Sequence, residues 1–343
     1  MRIAVVGAGP SGLAAAKTLI QLGLSPTVFE ATSHLGGLWY MPELNTGRSR
    51  LYKSLRTNLS KFTCSFSDFP WKEDSPLFPS ASDVHDYLTS YAQHFIPMKH
   101  IKLNTKVEYV QRNLERNLFE LRYRSMESNA VQQDDFDCVI IATGFFNKPF
   151  YPPVIQTILD RNQAITDPSL RQQIIHSLEY YDPTQYADKT VAVIGGSFTG
   201  CEIAAELSKH AKQVHHVISN PAYIVPRYLP RDLQGGRTPF YPIDLVFYAL
   251  SPTRLKEMEM RREDMKEMEK IHKTEEEVRE SHVYFEKLDR YAPSPITPSQ
   301  THIRTPVPSP LPRPFVSISD GYYASIHAKK LTQHFGRLVH SEG

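Results

Sequence analysis

Two glycine-rich turns limit what this 343-residue chain can become, because each follows an apolar run and each opens a helix-like stretch. The first is Gly7-Ala8-Gly9-Pro10-Ser11-Gly12, entered from Ile3-Ala4-Val5-Val6 and left through Leu13-Ala14-Ala15-Ala16. The second is Gly195-Gly196-Ser197-Phe198-Thr199-Gly200, entered from Thr190-Val191-Ala192-Val193-Ile194 and left through Cys201-Glu202-Ile203-Ala204. A strand that runs straight into a helix through such a turn aims main-chain N–H groups and the positive helix end at one point, which suits a pyrophosphate. One turn of this kind points to a nucleotide. Two point to a redox pair.

In the first turn, Gly7 permits the tight bend, Gly9 lets backbone approach the phosphates, and Gly12 lets the helix pack closely on the strand; Ala8, Pro10 and Ser11 complete the loop. The next apolar stretch, Thr27-Val28-Phe29, ends in Glu30, where a carboxylate accepts both hydroxyls of an unmodified ribose. In the second turn Ser197 stands in the place of the middle glycine, adding a small side chain able to donate a hydrogen bond to a phosphate. The strand that follows, Val214 to Ile218, ends in Ser219 and Asn220 with no acid. A ribose bearing a 2′-phosphate is therefore expected there, and NADPH rather than NADH. Arg227 is the nearest arginine downstream, either a planar fork for that phosphate or an ordinary loop cation.

The formal net charge of +2 gives no electrostatic case for nucleic acid or an anionic membrane as principal partner. Hydrophobic residues at 41% and charged residues at 22% are ordinary for a soluble enzyme. The three cysteines, Cys64, Cys138 and Cys201, are far apart, so no disulfide framework, metal site or dithiol relay is expected. No stretch reaches the ~18 apolar residues needed to cross a bilayer, and a soluble, cytoplasmic setting is the default expectation.

The turns divide the chain. A first nucleotide domain is expected over residues 1–186. Within it, a helix starts at Ser82, capped by Ser82-Asp83, with Val84, Tyr87, Leu88, Tyr91 and Phe95 at helical spacing. Strands are expected near Lys102 to Tyr109 and Leu118 to Arg124, and again from Cys138 to the Thr143-Gly144 turn. Pro149, Pro152 and Pro153 then block continuation of helix and sheet and mark a crossing between domains. A second nucleotide domain covers 187–290 and ends in a charged helix from Arg254 to Arg279. Residues 291–314 form a proline-rich linker, a spacer with the alternative of docking an SH3-like partner. Residues 315–343 resume a foldable pattern.

Several blocks in this order resemble the flavin-containing monooxygenases in a fungal-like version: VVGAGPSGL, VFEA, GGLW, YKSLRTNL, FSDFPW, the turn at Ala142-Thr143-Gly144, HSLEY from His176 to Tyr180, and GGSFTG. The resemblance implies an α/β protein with two Rossmann-like dinucleotide-binding domains, the FAD domain interrupted by an inserted NADP domain. It implies FAD at the first turn and NADPH at the second. One atom of dioxygen then passes to a soft nitrogen or sulfur of a small molecule. Gly37, Leu38 and Trp39 match residues lining FAD, Thr57 and Thr143-Gly144 lie in matching blocks, and Asn58 matches an asparagine near flavin and nicotinamide. On its own residues, Asn58 reads first as a cap on the preceding turn, and the resemblance reverses that order. Leu170 and Gln172 depart from the family pattern, which has Phe and Gly there. By the same resemblance, 315–343 returns into the FAD domain without completing it. Two alternatives remain open: a non-oxygenating NADPH oxidoreductase releasing hydrogen peroxide, and a degenerate, non-catalytic interaction protein.

Overall fold

The computed structural model describes residues 1–41, 51–146, 148–219, 223–230, 240–244 and 316–336. The chain forms two compact α/β units: Met1–Thr57 with Ser65–Tyr181, and Asn58–Cys64 with Asp182–Gly343.

The first unit opens with strand β1 (Arg2–Val6), helix α1 (Pro10–Gln21) and strand β2 (Ser25–Phe29). After helix α2 (Ala81–Phe95) come strands β3 (Ile101–Lys102), β4 (Thr105–Asn113), β5 (Leu118–Ser125), β6 (Val131–Phe136) and β7 (Cys138–Ile141), then helix α3 (Pro153–Ala164). Four strands make a parallel sheet of order β3-β2-β1-β7, with Val5 opposite Val28 on one side and Ile140 on the other. Both faces of this sheet are covered, which is why β1 is a continuous apolar run and not an alternating one. Val5 and Val28 face a core shared with Leu13, Val84, Leu88 and Tyr91 of α1 and α2. Ala4, Val6 and Phe29 face Leu121, Tyr123 and Phe136 of the antiparallel meander β4-β5-β6.

Three local expectations change. Helix α2 is capped two residues earlier than expected: Ser80, not Ser82, is the N-cap, and its side chain and that of Asp83 each bond the other's backbone N–H. This reciprocal bonding satisfies two helix-end donors at once. Pro152 and Pro153 do not block a helix but begin one, as N-cap and first residue of α3, where a missing N–H costs nothing. Strand β6, too polar to read as a strand, exists because it pairs along β5 with Phe136 as its buried residue.

The second unit contains β8 (Thr190–Ile194), α4 (Phe198–Leu207), β9 (Gln213–Ile218), β10 (Tyr223–Val225), β11 (Tyr228–Pro230), β12 (Phe240–Pro242), β13 (Val316–Ile318), α5 (Tyr322–His327) and β14 (Leu331–Phe335). A parallel sheet of order β14-β9-β8 carries the second glycine turn, and β13 pairs with β10. Residues 316–336 thus take a different course from the one expected. Their strands join sheets of the second unit, because Leu331 beside Val214 and Tyr322 against His216 bury their side chains there. The anticipated charged helix and proline-rich linker lie outside the described residues. Among the described residues no helix is long and apolar enough to cross a membrane.

Leu121 is fully buried between the meander and the parallel sheet. Leu121→Ala should lower unfolding free energy by about 2–5 kcal/mol, read as an earlier midpoint in a urea titration at unchanged slope.

Candidate dinucleotide-binding sites

Both glycine turns are built on the same contact. Gly7 has φ +107° and Gly195 has φ +118°, the left-handed side that an L side chain rarely adopts. In each turn the third glycine lies under the first: a Cβ on Gly12 would fall 1.9 Å from the Gly7 carbonyl oxygen, and one on Gly200 1.9 Å from that of Gly195. No side chain fits at either place. The N–H of Gly7 donates to the Phe29 carbonyl at 2.8 Å and that of Gly195 to the Val217 carbonyl at 2.9 Å, so each turn is tied to the neighbouring parallel strand.

The helices that follow are left open at their N-termini. Gly9 and Ser197 are the N-caps of α1 and α4; neither helix has a side-chain cap or an acidic residue in its first turn, whereas α2 has both. Gly9 (φ −77°, ψ −176°) and Ser197 (φ −79°, ψ 175°) share one extended conformation, so serine replaces the middle glycine without backbone strain. Pro10 and Phe198 are the first helical residues, and Ser11, Phe198 and Thr199 are exposed around the helix tips.

In the first unit the rest of the expected set gathers at the carboxyl ends of the parallel strands. Glu30 is buried, one carboxylate oxygen accepting from the Ala8 N–H at 2.9 Å and the other from the N–H and hydroxyl of Thr32, each at 2.9 Å. These bonds fix the carboxylate beside the turn and leave a lone-pair site open on the oxygen that accepts from Ala8. Gly37 comes so close that a Cβ on it would lie 3.0 Å from the Gly9 Cα. Leu38 and Trp39 follow in a single 3₁₀ turn, with Trp39 packed on the core under α1 and α2. The Ala142 N–H donates to the Val6 carbonyl at 2.8 Å, bringing the exposed Thr143 and Gly144 to the same end of the sheet. Thr57 is buried, its N–H bonded to the Pro79 carbonyl at 2.9 Å.

The second unit supports its turn differently. His216 is fully buried under Gly195, with Nε2 2.9 Å from the Gly195 carbonyl oxygen and Nδ1 2.5 Å from the Tyr322 hydroxyl. A carbonyl only accepts, so Nε2 carries the proton and the Tyr322 hydroxyl donates to Nδ1. Burial holds the imidazole below its ordinary pKa of 6.5. Cys201 is buried in the first turn of α4, and burial pushes its thiol up to about 11, an inert group and not a nucleophile. His216, Tyr322 and Cys201 carried no reading as site residues. The inward alternation Val214, His216, Ile218 along β9 was the available signal for the histidine.

Arg227 and Asn58 come together in this unit, in an arrangement neither expectation described. Arg227 is only 7% exposed; Nη1 donates to Asp320 at 2.8 Å and Nη2 to Glu202 at 3.0 Å and to Asn58 Oδ1 at 3.1 Å. Burial alone would lower its pKa, but the two carboxylates outweigh that and hold it above its ordinary value. Two acids already neutralise this cation, so it is neither the free fork expected for a 2′-phosphate nor an exposed loop arginine. The Asn58 side chain is held by Arg227 and is not spent on capping the turn before it. Asn220 lies outside the described residues. Among the described residues no cluster of three or more His, Cys, Asp or Glu could hold a metal.

The family profile described as Flavin-binding monooxygenase-like matches residues 1–278. The chain belongs to that family. Human "Flavin-containing monooxygenase 1" is 36% identical over 248 residues, 72% of this chain and 44% of the relative, and mouse "Dimethylaniline monooxygenase [N-oxide-forming] 4" is 34% identical over 71% of this chain and 41% of the relative. The chain spans about half the length of the curated relatives it matches. Among solved structures, S-allyl-L-cysteine S-oxygenase from Allium sativum aligns with a TM-score of 0.55 at 26% identity, over 70% of this chain and 55% of that one. OTEMO in complex with FAD and NADP aligns with a TM-score of 0.57 at 18% identity, over 98% of this chain and 65% of that one, a likeness of fold. The α/β class with two Rossmann-type units is that of these flavin monooxygenases.

The depressed His216 pKa has a sign. The unfolded chain takes up this proton at a higher pH than the folded one, so the stability the group contributes is complete above about pH 6.5 and is lost as pH falls through the lower folded value. Urea unfolding followed downward from neutral pH should show that loss, and His216→Gln, which does not titrate, should show a shallower decline from a lower starting stability.

Proposed function

We propose that the chain is an FAD- and NADPH-dependent monooxygenase that transfers one oxygen atom of dioxygen to a soft nitrogen or sulfur of a small molecule. The observation that carries this reading is the pair of uncapped helix N-termini behind glycine turns too tight for any side chain. Family membership supports it. Relatives named for N-oxide formation and for S-oxygenation support the substrate class.

The residues present fit both groups. FAD would lie along Gly7 to Gly12, its pyrophosphate on the N–H groups opening α1 and its ribose hydroxyls on Glu30, with Gly37, Leu38, Trp39, Thr57 and Thr143-Gly144 along its length. NADPH would lie along Gly195 to Gly200, with the Ser197 hydroxyl free to donate to a phosphate. With its charge already matched by Glu202 and Asp320, Arg227 is not offered as the 2′-phosphate ligand, and the preference for NADPH rests on the family. Bound, the flavin supplies two-electron and dioxygen chemistry and the nicotinamide supplies hydride. The protein's part is to hold each dinucleotide along its own glycine turn and to present the Asn58 amide as a neutral hydrogen-bond donor. A cytoplasmic setting belongs to the same proposal.

Full-length protein incubated with FAD should turn yellow and retain the flavin band through gel filtration. With NADPH, labelled dioxygen and a tertiary amine or thioether, it should place close to one labelled oxygen atom in product per NADPH consumed. Hydrogen peroxide released in amounts equal to NADPH consumed, with no labelled product, would overturn oxygenation in favour of an oxidase. Protein that stays colourless at saturating FAD would overturn both.

A further inference from the structure

The short segment Asn58–Cys64 belongs to the second unit although the chain on both sides of it belongs to the first. Two charged groups of the second unit grip it at separate points. At its start Arg227 donates to Asn58 Oδ1 at 3.1 Å. Further along, one carboxylate oxygen of Asp244, itself fully buried, accepts from the Ser60 N–H at 3.0 Å, the Ser60 hydroxyl at 2.6 Å and the Thr63 hydroxyl at 2.5 Å. Hydrogen bonds to ionised, buried partners are the strong ones, and removing such a partner is costly.

The first grip also settles a chemical question. The two ends of a primary amide are alike in shape, and which end faces a neighbour follows from what that neighbour requires. A guanidinium has five donors and no acceptor, so only the oxygen of Asn58 is stable against it. Nor can Arg227 turn aside, because Asp320 and Glu202 hold the same planar fork by Nη1 and Nη2. With the oxygen committed, the NH2 end is the half of the amide left to act.

We propose that Arg227 and Asp244 are positioning residues, which lock Asn58–Cys64 onto the second unit and orient the Asn58 amide so that it serves as a donor and not as an acceptor. The orientation of the amide stands on its own geometry. Its use toward a reduced, electron-rich cofactor rests on the reading of Asn58 given above. An anionic or lone-pair-bearing ring atom takes a hydrogen bond from NH2 and is repelled by a carbonyl oxygen, so a flipped amide at the same position would act against the cofactor.

Asparagine and aspartate separate the two roles. Asn58→Asp keeps an oxygen toward Arg227 and removes the donor, whereas Asn58→Ala removes both. Hydrogen exchange of the intact chain, without cofactor, should show the peptide spanning 58–64 as protected in Asn58→Asp as in the wild type, and exchanging about tenfold faster or more in Asn58→Ala and in Asp244→Asn. In Arg227→Lys, which keeps charge but not the planar fork, the Asn58 side-chain amide resonance should shift and exchange faster with solvent. If Asn58→Asp loosens the segment as much as Asn58→Ala, or if the amide resonance is unmoved in Arg227→Lys, the positioning inference is wrong. Activity reads the other half: Asn58→Asp with an intact segment should lose labelled product by at least about tenfold. An Asn58→Asp variant with a protected segment and undiminished oxygenation would leave the geometry standing and sink the donor role of Asn58.

Discussion

Everything in this protein that bears on a nucleotide depends on one close contact made twice, a helix glycine seated on the carbonyl of the glycine that ends the preceding strand. At 1.9 Å from that oxygen, a methyl group has no room, and the strand–helix pair would have to part before one fitted. The closeness sets the helix start directly at the carboxyl end of the sheet. Its first N–H groups have no intrahelical partners and neither N-cap side chain bonds them, so the fold itself leaves a concentrated positive end facing outward. Helix α2, capped by Ser80 and carrying Asp83, shows what the same chain does where a helix end has only a structural task.

The two units back this contact with different chemistry. In the first, Glu30 takes the Ala8 N–H and keeps a lone-pair site open on that oxygen. In the second, a neutral His216–Tyr322 pair reaches the Gly195 carbonyl from below, and Arg227, Glu202 and Asp320 form a charged cluster that meets Asn58. The buried Arg227 guanidinium is hydrogen-bonded to three side chains, and each of those bonds is costly to lose singly. The second turn can therefore carry serine where the first has glycine: the backbone there is extended in both, and what keeps the turn tight lies beneath it.

Local physics made part of this legible in the sequence. The runs Ile3 to Val6 and Thr190 to Ile194 read as strands because both of their neighbours in the chain announce a turn, and Glu30 falls where its strand must end. What could not be read depended on partners distant in sequence. Strand β6 is almost wholly polar and exists through β5; Arg227 is an isolated loop cation until Glu202 and Asp320 are brought to it; residues 316–336 choose the second unit because Val214 and His216 present the surfaces that Leu331 and Tyr322 fill. The prolines at 152 and 153 have a second, more local effect that their sequence reading left out. They stop an element already running but preset the backbone for one about to start.

The account stands or falls on the two turns being separate dinucleotide sites, each dependent on its own buried glycine. Equilibrium titration of the full chain with FAD and, separately, with NADP⁺ tests this most directly when repeated on Gly12→Val and Gly200→Val, with circular dichroism to establish that each variant is folded. The account predicts that folded Gly12→Val loses FAD and keeps NADP⁺, and that folded Gly200→Val does the reverse. Folded variants that bind both dinucleotides as the wild type does would contradict it.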